Sequence, residues 1–133
     1  MDDETRYATG MAVRREVLGN PHVDGAEAGK DSFIADFHDL ITRYAWGEIW
    51  SRPGLDRRTR SCITLAVLAT LRCEDEMAMH VRAARNNGLS PEEIAEVLLQ
   101  VAIYAGVPAA HLAFDVAQRT LAAEHADPAT GVD

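Results

Sequence analysis

A single lysine, Lys30, stands in a sequence of 133 residues, and acidic side chains outnumber basic ones by 21 to 13, for a net charge of −8. That balance excludes nucleic acid and anionic membrane surfaces as main partners, because both are bound through positive charge. Cysteine is almost as scarce. Cys62 and Cys73 both lie within helical patterns, which excludes a secreted disulfide scaffold and predicts reduced thiols in a reducing compartment. No apolar run approaches the roughly 20 residues that span a bilayer. The first residues, Met1-Asp2-Asp3-Glu4, are acidic where an export or transit signal would be basic. The expectation is a cytoplasmic protein. Sustained period-two alternation of β-branched residues is also missing, so strands are not predicted.

What is present is helical periodicity from end to end, in a chain whose 47% hydrophobic content can bury a core. The reading is all-α: a compact bundle of about six helices in one domain over residues 1–126, with a disordered tail at 127–133. The opening helix runs from about Glu4 to Leu18 and stops at Gly19-Asn20-Pro21. Residues 21–31 read as irregular, with at most a single turn. A helix then begins near Ser32, carries an apolar stripe of Phe33, Phe37, Leu40, Ile41 and Tyr44, and continues through Trp50. Asp56 is the expected N-cap of the next helix. It is apolar nearly all round from Cys62 to Leu71, which predicts the buried centre of the domain. A helix from Glu74 to Asn87 ends at Gly88. Ser90-Pro91-Glu92-Glu93 is a capping box with proline at the first helical position. The helix it opens has one face of Ile94, Val97, Leu98, Val101, Ala102 and Ala105. A second strip, Leu99 and Ile103, predicts a subunit interface, since a lone domain would expose it to water. The last helix covers Ala109 to His125.

Three groups of residues point to chemistry. Glu76 and His80 stand one helical turn apart, with Cys73 on the same face. A carboxylate so placed can orient an imidazole for proton transfer, although the same pair is common on plain surfaces. As metal ligands the pair falls short, because it supplies two donors and no zinc-like spacing accompanies it. The segment from Tyr44 to Gly54 gathers Trp46, Glu48, Trp50 and Arg52, which fit either the lining of a small-molecule pocket or, for the tryptophans, ordinary core. Arginines Arg43, Arg52, Arg57, Arg58, Arg60 and Arg72 crowd the middle third and suit a small polyanion. Arg57, Arg58 and Arg60 oppose the dipole at a helix start, so each needs a compensating carboxylate or anion. Arg60, next to the apolar run, is the one expected to meet a buried partner or substrate. No cofactor motif appears.

The runs Tyr44-Ala45-Trp46-Gly47-Glu48-Ile49-Trp50-Ser51-Arg52-Pro53-Gly54-Leu55, Glu76-Met77-Ala78-Met79-His80-Val81-Arg82-Ala83-Ala84 and Val101 to Ala110 resemble signature stretches of the carboxymuconolactone decarboxylase family. Arg14 to Val23 resembles that family's N-terminal segment, so the likeness covers about residues 6 to 120. The wider superfamily includes alkylhydroperoxidase-D-like proteins with a Cys-x-x-Cys pair ahead of a histidine. Aligning that histidine on His80 puts the pair at Cys73 and Glu76, so the second thiol is missing. The resemblance implies cofactor-independent decarboxylation of 4-carboxymuconolactone, a dicarboxylate lactone, to the β-ketoadipate enol-lactone and CO2, in the protocatechuate branch of the β-ketoadipate pathway. It also implies a homo-oligomer, hexamer or trimer. Under it, His80 donates a proton, Glu76 or Glu48 assists, Arg52 and Arg60 hold carboxylates, and Trp46 and Trp50 wall a pocket between the Trp46 to Arg52 segment and the Glu76–His80 face. No metal or cofactor is implied. The alternatives are a thiol-dependent, peroxidase-like protein using Cys73 with His80, and an oligomeric helical module without catalysis.

Overall fold

The computed structural model describes residues 1–126, and every regular element among them is helical. The tail expected at 127–133 lies outside the described residues. Eight helical elements replace the six or so expected, and they fall into two compact units, Met1–Arg57 and the residues from Arg58 onward. No described helix is long and apolar enough to cross a membrane.

The first unit opens with α1, Asp3–Leu18. Asp2 caps it by accepting a hydrogen bond from the Thr5 amide at 2.7 Å, and Asp3 and Glu4 at the start with Arg15 at the end match the helix dipole. The segment from residue 20 on, read as irregular, is a helix: α2, Asn20–Ala28. Pro21, taken as a breaker, sits in the first turn, where its missing N–H costs nothing. Val23 is fully buried and pins α2 down. Arg14, itself buried, donates to Glu27 at 3.1 Å; Lys30 bridges Glu27 at 3.1 Å and Asp39 at 3.4 Å, which links α1, α2 and the next helix. That next helix, α3, spans Ala35–Ile41, three residues later than the expected start, because Asp31 to Ile34 form a turn closed by the Ile34 amide donating to Asp31 at 3.1 Å.

From Thr42 to Trp50 the helix widens into a π-helix, whose hydrogen bonds step five residues instead of four. The tight approach of α1 goes with this change. A Cβ on Gly10 would lie 1.9 Å from the Thr42 carbonyl oxygen, and one on Gly47 would lie 2.4 Å from the Arg6 carbonyl oxygen. Two glycines thus let two backbones touch. The apolar stripe expected to be buried is not. Phe33 is 94% exposed, and Phe37, Leu40 and Tyr44 are exposed too. The π-helix turns Thr42, Trp46 and Gly47 inward and leaves Tyr44 outside, while Phe33 in the turn before α3 and Phe37 and Leu40 on α3 lie outward before the helix widens.

The second unit holds its own core. Helix α4, Arg57–Leu71, begins one residue after the expected cap Asp56. Its expected place at the buried centre needs correction, for only Ser61, Leu65 and Ala69 are buried, while Ile63, Val67 and Leu71 lie exposed. One face of α4 meets the core; the other has nothing of its own unit to cover it. Helix α5, Glu74–Asn86, ends before Gly88, whose φ of +94° is the left-handed conformation that closes helices. Helix α6, Pro91–Tyr104, carries the predicted capping box in full: the Glu93 amide donates to Ser90 Oγ at 3.1 Å and the Ser90 amide to the Glu93 carboxylate at 2.9 Å. Ile94, Leu98 and Val101 are buried, and Leu99 and Ile103 are exposed as the second strip predicted. Helix α7, Val107–Ala126, starts two residues early because Pro108 is tolerated in its first turn.

The arginines at the start of α4 do find carboxylates. Arg57 pairs with Glu16 at 2.5 Å, and Arg58 donates to the Glu93 carboxylate and the Gly88 carbonyl. Their clash with the helix dipole is thereby offset.

Candidate active site

In the first unit the π-helix arranges the aromatic and acidic candidates. Trp46 is 4% exposed and Trp50 half-buried, with ring centroids 5.2 Å apart and planes inclined by 33°. Glu48 accepts a hydrogen bond from Arg6 Nε at 3.3 Å. Arg6 lies over the Tyr44 ring, 5.3 Å from its centroid, and also pairs with Asp3 at 3.0 Å. The Glu48 bond above all pushes the Arg6 guanidinium pKa further up. Arg6 had no place in the sequence reading. It stands 42 residues from Glu48, and only the fold shows that it holds this acid. Arg52, in the turn past the π-helix, is exposed.

In the second unit His80 lies on α5 with 8% of its surface exposed. Glu76, one turn earlier in the first turn of α5, is exposed, and Arg60 on α4 is half-buried. Cys73 directly precedes α5 as a free thiol, half-buried, with its Sγ 3.9 Å from the Leu71 carbonyl oxygen. The position at which a second thiol would stand holds the carboxylate of Glu76. Among the described residues no three or more of His, Cys, Asp and Glu gather where they could hold a metal ion. An apolar groove of about 380 Å³ runs between α6 and α7, lined by Ile94, Ala95, Leu98, Phe114, Leu121 and their neighbours. Gln118 is its one polar side chain, so it offers a dicarboxylate neither cation nor acid. The cavity beside Cys73 holds about 10 Å³, too little for any organic substrate.

The structure therefore brings Trp46 and Trp50 together, gives Glu48 to Arg6, and keeps Glu76 and His80 on one helix a turn apart. The chain belongs to the carboxymuconolactone decarboxylase family, whose model matches residues 35–119, more than half of the sequence. It is 49% identical over 118 residues to the 4-carboxymuconolactone decarboxylase of Acinetobacter baylyi, covering 89% of this chain and 88% of that protein. Over 115 residues it is 40% identical to a nitrosuccinic acid decarboxylase of Metarhizium robertsii, covering 86% of this chain and 80% of the other. A 4-carboxymuconolactone decarboxylase sequence of Pseudomonas putida is 46% identical over 48 residues, 36% of this chain and all of that one.

Proposed function

We propose that this chain decarboxylates 4-carboxymuconolactone to the β-ketoadipate enol-lactone and CO2. The observation that carries the reading is 49% identity, over nearly the whole of both chains, to a protein of that activity. In the reaction the bond between the ring carbon and the departing carboxylate breaks. Its electron pair spreads through the ring double bond onto the lactone carbonyl oxygen, and a proton then joins the ring carbon beside that carbonyl. The substrate is its own electron sink, so the protein has to orient a dianion, exclude water and deliver one proton.

His80, largely withdrawn from water, is assigned the proton. Glu76 is the better assistant than Glu48, since Glu48 is engaged by Arg6 while Glu76 shares the helix of His80. Arg52 and Arg60 are assigned the carboxylates, and Trp46 with Trp50 the apolar wall. The same reading has the protein in the cytoplasm as a homo-oligomer, hexamer or trimer. The exposed strip of Leu99, Ile103, Tyr104 and Val107 supports assembly, because a soluble monomer rarely leaves such a patch uncovered. The 40% identical relative favours a second substrate reading, nitrosuccinic acid, in which a nitro group would accept the electrons.

Purified protein mixed with the lactone and followed by ultraviolet absorbance tests the assignment. Turnover is expected with and without a chelator, and His80→Ala should lower it by about 10²- to 10⁴-fold. A wild-type rate in that variant would remove His80 from the mechanism. No lactone turnover, with peroxide-dependent loss of the Cys73 thiol, would replace the decarboxylase by the redox alternative. Faster turnover of nitrosuccinic acid than of the lactone would select the second substrate.

A further inference from the structure

Arg43 opens the π-helix and is only partly exposed. Its guanidinium carbon lies 5.4 Å from the centroid of the Tyr7 ring on α1, and its Nε is fully buried without an acceptor among the described residues. No carboxylate among the described residues pairs with it, in contrast to Arg6, Arg14, Arg15, Lys30, Arg57, Arg58 and Arg85. Arg72, Arg82 and Arg119 also have no carboxylate, but they are exposed and water meets their demand. In an acidic protein, a partly desolvated guanidinium held only by a ring face is an unusual economy. The ring recovers less than a carboxylate would.

With Nε packed away, the fork formed by the two terminal nitrogens is the one that can take both oxygens of a carboxylate side by side. Arg43 shares the π-helix with Trp46, Glu48 and Trp50, the residues to which the proposed function gives the pocket wall and an acid.

We propose that Arg43 binds a carboxylate of the substrate, and that it takes the acetate arm retained in the product. This inference rests on the decarboxylase reading. The choice between the two carboxylates follows from the chemistry. A tight two-toothed clamp on the departing group would stabilise charge that the reaction must move into the ring, raising the barrier, so on this proposal that group is left to single contacts from Arg52 and Arg60, whereas the retained arm keeps its charge throughout. Arg43 thus acts in binding and orientation and leaves the chemical step nearly untouched.

The test compares the lactone with its acetate-arm methyl ester, on the wild type and on Arg43→Gln and Arg43→Lys. In the wild type, esterification should lower kcat/KM on the order of 10- to 100-fold. Arg43→Gln should bring the free acid down to the ester's level, mainly through KM, and leave the ester unchanged. Arg43→Lys, which keeps the charge and loses the fork, should fall between. Equal losses for acid and ester in Arg43→Gln would mark Arg43 as structural, and no loss for the acid would overturn the proposal outright. Should the wild type not turn over the lactone, the decarboxylase reading fails first. Calorimetric titration with succinate then decides on Arg43 alone: binding that Arg43→Gln abolishes supports the carboxylate site, and binding that is absent in the wild type or unchanged in the variant overturns it.

Discussion

Replacing Gly10 by alanine adds a single methyl group at the crossing of α1 and the π-helix. The added carbon would stand 1.9 Å from the Thr42 carbonyl oxygen and 2.9 Å from the Gly47 amide nitrogen. Ordinary carbon to oxygen contacts begin at about 3.3 Å, so the two backbones must separate by roughly 1.4 Å along that line. Neither atom is the end of a flexible side chain, so no rotamer change relieves the clash. Overpacking of this kind costs about 1–3 kcal/mol and sometimes more. Separation also loosens Val13, Val17 and Trp46, which are buried in the same unit. Against this stands the better helix propensity of alanine, worth about 1 kcal/mol. With a backbone clash at the upper end of that range, the net expectation is a loss of about 2 kcal/mol, or on the order of 5–10 °C in melting temperature for a chain of this size.

Thermal and urea unfolding by far-ultraviolet circular dichroism measures the loss, and Trp46 fluorescence reports the crossing itself. The same chemical change at Gly25, inside α2, meets nothing within 4 Å and should stabilise by roughly 0.5–1 kcal/mol. A second cycle adds Gly47→Ala, whose carbon would lie 2.4 Å from the Arg6 carbonyl oxygen. Because one separation relieves both clashes, the double variant should lose less than the two singles combined. A Gly10→Ala protein that melts at or above the wild type would refute the close crossing.

Glu27 provides a pH-dependent test. Burial alone would raise its carboxyl, but the hydrogen bond from Lys30 and the charges of Lys30 and Arg14 outweigh this and hold it below the ordinary glutamate range. A depressed carboxyl contributes stability at neutral pH that is lost as pH falls through its folded value. Glu27→Gln should therefore flatten the acid side of the stability profile below the usual glutamate range and cost about 2 kcal/mol at neutral pH; an unchanged profile in acid titration would remove Glu27 from that role. Ser90→Ala strips one half of the capping box at the start of α6 and should cost about 1 kcal/mol in urea denaturation, while a cost near zero would mean that Glu93 alone suffices.

The parts of the fold legible in the sequence are those determined within a few residues. The capping box at Ser90, the stop at Gly88 and the exposed Leu99–Ile103 strip are local in this sense, and all three stand in the structure. Helix α2 is not legible because Gly19-Asn20-Pro21 ends one helix and starts another with only Gly19 between, and a proline signals both events alike. The π-helix was illegible for a different reason. Its width goes with contact to a glycine more than thirty residues earlier, which no local propensity encodes. Tyr44 falls outside with it, since a period of 3.6 no longer names the buried face once the helix widens, whereas Phe33, Phe37 and Leu40 precede the widening and lie on a turn and a short helix that buries no residue.

The candidate site was readable to a similar degree and for a chemical reason. Spacing alone placed Trp46 with Trp50 and Glu76 with His80, because each pair lies within one turn. The grip of Arg6 on Glu48 and the stacking of Arg43 on Tyr7 cross between elements, so nothing in their neighbourhoods announced them. On the proposed reaction the substrate supplies its own electron sink, and the protein needs no dense cluster of ligands or nucleophiles. What it needs is an oriented anion, a dry wall and one proton. Such a requirement falls on a few arginines, aromatics and a histidine, residue types that also serve ordinary packing and solubility. A site of this kind leaves a faint mark on composition and periodicity, and its identity comes instead from whole segments kept in common with relatives such as the 49% identical decarboxylase. The stacking of Arg43 on Tyr7, with no carboxylate beside it among the described residues, becomes visible only once the fold has brought α1 against the π-helix.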